Sequence, residues 1–409
     1  MAKRMTIKQL MFILPLLAIV SVFSLYPIIT SFVYTGFDYH TNDPARAGMF
    51  LSTSFNAKLF CEDANYISYY LDDELRAAGE GTAEKITGLQ GDISAFIAPY
   101  KDETQTRSIN SNETERLDSF IAEVEAGLNA IYDSEPDAAF YNKDKMPILL
   151  NEMRSCLIES NFVGLNNYAD LMKDSRFWGT LRITGVFTIV SVSIELVLGM
   201  ILALIMNKAI RGIGLVRTVS LIPWAIPTAI SALIWSYLYD GSNGVIAHIF
   251  AAAGLIPSSQ SMLLSAGGAM ASAILADVWK TTPYMALLLL AGLQIIDKGL
   301  YESAAIDGGG PVKTFLRITL PLMKPSILVA LLFRMLDAFR VYDLLAILTG
   351  GGPGGATETM SIYSYKLVIG QGNYGYGSAV VIAMFVCVAF IAFFFIKVLG
   401  AELISNEEE

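Results

Sequence analysis

The sequence has little to offer metal or thiol chemistry. Its three cysteines form no CxxC, and its two histidines, His40 and His248, stand far apart. Zinc sites and dithiol redox centres both need such ligands clustered, so neither is expected. Charge is scarce too, at 16% of 409 residues, and no segment carries the dense basic stripe that phosphate neutralisation demands. Nucleic acid is therefore excluded as a partner. A GxxxxGK[ST] phosphate loop is also missing: the nearest Gly-rich run, TGGGPGGAT from Thr349 to Thr357, has no lysine. No cofactor is expected on this chain.

What is abundant is apolar surface. Hydrophobic residues make up 54% of the chain and the mean hydropathy is +0.51, more than a soluble domain of this length requires. The acids are concentrated: Asp38 to Arg176 holds 25 of the 38 Asp and Glu but only 12 of the 28 Lys and Arg. Two regions of different character share one polypeptide.

A membrane helix needs about 20 mainly apolar residues to cross a core of roughly 30 Å. Six segments meet that length: about Leu10 to Tyr34, Thr180 to Met206, Thr218 to Tyr239, Met270 to Ile296, Pro325 to Leu348 and Gly377 to Leu399. The first is too long for a signal peptide and has no small-residue cleavage site, so it reads as an anchor. Lys3, Arg4 and Lys8 precede it. Lys208, Arg211 and Arg217 lie between the second and third spans, and Lys298, Lys313, Arg317 and Lys324 between the fourth and fifth. Those segments, and with them both termini, are expected in the cytoplasm.

The expected fold is an all-α membrane protein of six transmembrane helices with an inserted, helical extracytoplasmic domain. Residues 1–38 hold the N-terminal tail and first span, 39–160 the inserted domain, and 161–409 the remaining five spans. Within ETERLDSFIAEVEAGLNAIY, Leu117, Phe120, Ile121, Val124, Leu128 and Ile131 recur at helical spacing. That stripe is either the domain's core or a docking face. Cys61 and Cys156, both in this region, form either a disulfide or two unpaired thiols.

The cytoplasmic stretch ESAAIDGGGPVKTFLRITLP, Glu302 to Pro321, stands out. Glu302 to Ala305 can form a short helix of small side chains, Asp307 to Pro311 a sharp turn, and Val312 to Thr319 a second helix that Pro321 ends. A small-residue surface with one carboxylate at its edge suits a cleft in another protein.

The run Glu302-Ser303-Ala304, then Asp307-Gly308 and Ile318, Leu320 and Pro321, resembles the cytoplasmic EAA loop of ABC importer permeases, here about residues 297–324. Ser303 and Gly309 stand where the family commonly has Ala. FVGLNNYADLMKD (Phe162 to Asp174), LIPWAIPTAISALIW (Leu221 to Trp235), AGLQII (Ala291 to Ile296) and FRVYDLLAILTGGGP (Phe339 to Pro353) are similar to the binding-protein-dependent sugar and glycerol-phosphate permeases related to the larger maltose permease subunit. That resemblance implies a second permease subunit, a cytoplasmic ABC ATPase dimer that carries the ATP and Mg, and an extracytoplasmic solute-binding protein, in the cytoplasmic membrane of a bacterium or archaeon. It also implies that Lys280, Tyr284, Arg334, Asp337, Ala338 and Val341 line the substrate path, with Tyr284 suited to stacking on a sugar ring.

Glu195, Asp277, Lys280, Arg334, Asp337, Arg340 and Asp343 all fall within spans, the last four alternating in sign at three-residue steps that leave neighbours close enough to pair. A lone charge there costs about 2.5 to 3.5 kcal/mol and must find a partner or a wet cavity. At about 1.5 Å per residue, Lys280, Arg334 and Asp337 share one depth near the midplane, so cross-helix pairs are feasible. These charges either hold the spans together or meet a solute that is charged or richly polar. Trp224, Trp235 and Trp279 are expected to anchor interfaces or fill the bundle. The alternative function is a proton-coupled secondary transporter with Glu195 or Asp277 as relay. A membrane-anchored receptor is a further rival, though it would need no coupling loop.

Overall fold

The computed structural model describes residues 7–136, 140–208 and 212–405; Lys3, Arg4 and Arg211 of the orientation pattern lie outside them. The chain divides into two compact units. One comprises residues 1–168 with 371–376, the other 169–370 with 377–409.

In the first unit, α1 (Ile7–Val20) runs through a widened turn at Ser21–Leu25 into α2 (Tyr26–Tyr34). Over Ile13–Tyr34 this rod is strongly apolar and uncharged, and none of it is buried among the described residues, the pattern of a helix whose solvent is lipid. Then come α3 (Ala57–Glu74), α4 (Glu80–Ile97), α5 (Ser111–Ser134) and α6 (Met146–Ser155). Asn56 caps α3 by accepting from Leu59 N–H at 3.2 Å, and Asn110 caps α5 through Glu113 N–H at 2.9 Å. The six-residue stripe on α5 is buried among Phe55, Phe60, Ile67 and Leu71, with Phe120 stacked on Phe96 at 3.6 Å. It is the core, and no docking face.

Three two-residue antiparallel strands close this unit in the order β2-β1-β3: β1 (Ser54–Phe55), β2 (Arg107–Ser108) and β3 (Leu157–Ile158). A purely helical region was expected, but two residues are too few to display a period-two pattern. Cys61 and Cys156 are free, buried thiols, and Cys156 Sγ lies 3.7 Å from Asp63 Oδ2. Residues 371–376 join through Tyr374 N–H donating to Tyr39 O at 2.9 Å.

The second unit is built around two long helices, α7 (Ser175–Met206) and α11 (Ala266–Ile295), with α14 (Lys324–Phe339) against both. Small residues allow the close approach. A Cβ on Gly199 would sit 2.7 Å from Met285 Cγ, and one on Gly292 would sit 2.4 Å from Ser326 Cβ. Val192, Met200 and Ala203 interleave with Met285, Leu289 and Ala330 in the resulting core.

Two expected spans are broken. Between α7 and α11 the chain forms α8 (Ile213–Ser220), α9 (Ile222–Ala225) and α10 (Thr228–Leu238), and it bends by 88° before α10. Pro227 lacks an N–H and forces Ile226 out of the helical region, to ψ 131°. The other break is at Phe339, where Arg340 and Tyr342 leave helical geometry before α15 (Asp343–Leu348). Irregular backbone at that depth is tolerated where it lines a cavity, as it does here. Among the described residues four helices, the last of them in α16 (Tyr374–Ser405), are individually long and apolar enough to span a membrane; the number is six if each bent pair, Ile213–Ala225 with Thr228–Leu238 and Pro311–Leu322 with Lys324–Phe339, counts once.

Candidate functional site

Three helices converge on one guanidinium. Glu195 comes from α7, Asp277, Lys280 and Thr281 from α11, and Arg334 and Asp337 from α14; the three- and four-residue steps keep each set on one face. Arg334 Nε donates to Glu195 Oε2 at 2.6 Å and Nη2 to Glu195 Oε1 at 2.9 Å. Nη2 also donates to Asp277 Oδ2 at 2.7 Å, and Nη1 to Asp337 Oδ2 at 2.8 Å. Thr281 Oγ1 donates to Glu195 Oε1 at 2.7 Å. Arg334 and Glu195 are wholly buried, whereas the Asp337 side chain is 66% exposed.

This cluster forms one wall of a cavity of about 510 Å³. Lys280, Arg334, Asp337, Ala338 and Val341, five of the residues singled out in the sequence, line it. Tyr284 does not. It stacks on Trp224 at 5.5 Å with the rings 11° from parallel, and the aromatics that line the cavity are Trp224 and Tyr342. Lys280 Nζ donates to Trp224 O at 3.3 Å and Ile226 O at 2.9 Å, carbonyls at the bend between α9 and α10. One lysine thus satisfies the broken helix and faces the cavity.

Sequence reasoning missed Glu195 as the fork partner of Arg334, and missed Trp224. The spacing Arg334, Asp337, Arg340, Asp343 suggested a ladder of pairs, but only its first step forms: Arg340 Nε instead donates to Leu336 O at 3.0 Å.

The loop that follows α11 forms a helix, a turn and a second helix. α12 (Lys298–Ile306) ends in a turn where Gly308 has φ +71°, which glycine adopts without strain, and Gly309 N–H donates to Ala304 O at 2.8 Å. A Cβ on Gly309 would lie 2.8 Å from that same oxygen, which explains glycine where alanine is common. α13 (Pro311–Thr314) then winds through a wide turn at Phe315–Thr319. Pro321 does not end the helix as the sequence suggested. It occupies the first turn after the wide one, where its missing N–H is tolerated, and the break comes at Met323 with a 68° bend.

Glu302, Ser303, Asp307, Gly308 and Pro321 are exposed, and Ala304, Ile318 and Leu320 are half-buried. Ser303, Ala304, Asp307 and Ile318 border a groove of about 280 Å³ between the arms. Among the described residues the Glu302 carboxylate makes no ion pair or side-chain hydrogen bond. Ile306 and Val312 beside it are 87% and 72% exposed.

The Gly-rich run is held from below. Gly350, Gly351, Gly354 and Gly355 all have positive φ, and Thr349 and Thr357 bond through their hydroxyls at 2.7 Å. Nearly buried Glu358 accepts from Arg176 Nε and Lys366 Nζ, each at 2.8 Å. No group of three or more His, Cys, Asp or Glu with metal-site geometry occurs among the described residues.

Comparison with known proteins agrees with this architecture. The sequence pattern of the family described as binding-protein-dependent transport system inner membrane component matches residues 195–404. The trehalose/maltose transport system permease protein MalF of Thermococcus litoralis is 45% identical over 240 residues, 59% of this chain and 80% of that protein. The trehalose transport system permease protein SugA of Mycobacterium tuberculosis is 42% identical over 249 residues, 61% of this chain and 78% of that one. Among solved structures, a bacterial ABC transporter involved in the import of the acidic polysaccharide alginate superposes with a TM-score of 0.53 at 23% identity, over 58% of this chain and 84% of that one, a likeness of fold.

Proposed function

Because this chain belongs to the binding-protein-dependent transport system inner membrane component family, we propose that it forms half of the solute path of an ATP-driven importer for a sugar or sugar derivative. It is a membrane permease subunit and not an enzyme; ATP hydrolysis is done by a partner ATPase. In this reading a second permease subunit completes the path, an ABC ATPase dimer with its ATP and Mg docks on the cytoplasmic side, and a solute-binding protein delivers cargo outside. In the same reading the chain crosses the membrane six times with both termini in the cytoplasm of a bacterial or archaeal cell, and residues 39–160 form a domain on the outer side.

The carrying observation is the exposed turn around Glu302 and the helices it joins. α12 follows α11 directly, and the other arm leads through Met323 into α14. Those two helices bear Asp277 and Lys280, and Arg334 and Asp337, so a force on the turn acts on both sides of the cavity wall. Glu302 takes a basic partner on the ATPase, Ser303, Ala304 and Asp307 seat against it, Gly308 permits the turn, and Ile318, Leu320 and Pro321 brace the second arm.

The test is ATP-dependent uptake of a neutral disaccharide by the assembled complex in proteoliposomes. Uptake should require ATP and persist when the proton gradient is collapsed, and Glu302→Ala should abolish solute-stimulated ATPase activity while the complex still assembles. Accumulation by this chain alone without nucleotide, or loss of uptake on collapsing the gradient, would favour the proton-coupled alternative.

A further inference from the structure

The sequence places Arg334 and Lys280 where a solute passes, and two cations in a transport path suggest an anionic cargo. The geometry points the other way: we infer that the path takes an uncharged, polyhydroxylated solute and rejects sugars bearing phosphate, sulfonate or carboxylate. This deepens the proposed sugar-import reading and rests on it.

Arg334 is not available to a solute. Four hydrogen bonds to Glu195, Asp277 and Asp337 occupy all but one of the N–H groups a guanidinium possesses, and the side chain is 1% exposed. To bind an anion it would have to leave carboxylates that surround it in a buried site, where their separation is strongly opposed. Lys280 is nearly buried and spends two of its three N–H groups on main-chain carbonyls.

The charge balance agrees. Asp277, Asp337 and Asp343 on the cavity wall offset Lys280, Arg334 and Arg340, and Glu195 behind Arg334 leaves the acids one ahead. With one of these carboxyls protonated the balance would be even, and the wall would still offer an anion no net attraction.

A neutral polyol is suited to the same wall. The Asp337 carboxylate is 66% exposed and bonds Arg334 through Oδ2, so Oδ1 is free to accept from a solute hydroxyl. Arg340, exposed on the opposite sign, can donate to another. Each sugar hydroxyl both donates and accepts, so it uses acids and bases alike, whereas an anionic group would meet two exposed carboxylates, Asp337 and Asp343, against the one exposed guanidinium of Arg340.

The experiment uses the assembled complex of permease subunits and ATPase in nanodiscs, without binding protein, so that only the path discriminates. Trehalose and maltose are compared with their 6-phosphates in equilibrium binding, alongside uptake by the full importer. At least one neutral disaccharide should bind with its 6-phosphate tenfold weaker or worse, and Asp337→Asn, mostly exposed and so tolerated by the fold, should narrow that ratio severalfold. A 6-phosphate that binds as tightly as its parent sugar overturns the inference and leaves sugar import standing. Absence of binding by all four together with absence of ATP-driven uptake of either neutral sugar overturns the import reading itself.

Discussion

Arg334 grips Glu195 across two helices by a two-bond fork, Nε to Oε2 at 2.6 Å and Nη2 to Oε1 at 2.9 Å, with side chains 1% and 0% exposed. A planar guanidinium matched to a carboxylate in this way fixes orientation as well as distance, so the fork sets how α7 and α14 meet. The same pairing argues against Glu195 as a proton relay, because a relay must exchange partners and this carboxylate is held by Arg334 and Thr281 together.

Removing one half of that fork strands the other half in a buried site. Glu195→Gln or Arg334→Met should each destabilise the protein by about 3 to 5 kcal/mol. The double variant Glu195→Met with Arg334→Met should recover part of the loss, because Asp277 is then the one member of the buried cluster left without its partner. Thermal unfolding of the purified protein in detergent checks this, and a double variant no better than the worse single variant would refute the pairing.

Lys280 satisfies the carbonyls of Trp224 and Ile226 at the Pro227 break. Lys280→Met should loosen that bend, raising amide hydrogen exchange across residues 222–228 and lowering uptake severalfold. Lys280→Arg, which keeps a donor within reach, should restore most of both. Exchange unchanged in the methionine variant would show that the bend holds without the lysine.

At the turn after α12, Gly309→Ala would press a methyl to 2.8 Å from Ala304 O, while Gly310→Ala meets nothing within 4 Å. The first should distort the turn at a cost of about 1 to 3 kcal/mol and weaken co-purification of the ATPase; the second should leave it intact. Equal recovery of ATPase with both variants would show that the turn's shape is not what the partner reads.

In the first unit, burial, with the nearby negative charge of Glu152, pushes the Asp63 carboxyl up to about 6, although the Cys156 thiol opposes the shift. A folded value above the unfolded 3.8 means the folded state holds the proton more tightly. The resulting stabilisation is fully present below about pH 4 and is lost as pH rises through about 6. Asp63→Asn should therefore melt higher than the natural protein at pH 7.5, with the gap closing as pH falls towards 5. A gap that does not change with pH would rule out this titration.

Much of this was open to inspection before any coordinates. Helical spacing of Leu117, Phe120 and Ile121 marked a buried stripe, and Gly308 marked a turn, because both are local consequences of backbone geometry. Length and apolarity likewise identified the rods at Ser175–Met206 and Ala266–Ile295. The short strands β1, β2 and β3 escaped notice because their pairing joins residues about fifty apart or more, with no local period to betray it.

By itself the sequence determined that this is an apolar, helix-built chain with an acidic region and a Gly-rich turn, since composition and periodicity act residue by residue. Only the tertiary structure decided that Arg334 belongs to Glu195, Asp277 and Asp337, that Lys280 serves a broken helix, and that Trp224 instead of Tyr284 faces the cavity. Ionic and aromatic partners are chosen by distance in space, and residues separated by 139 positions meet only after three helices have packed.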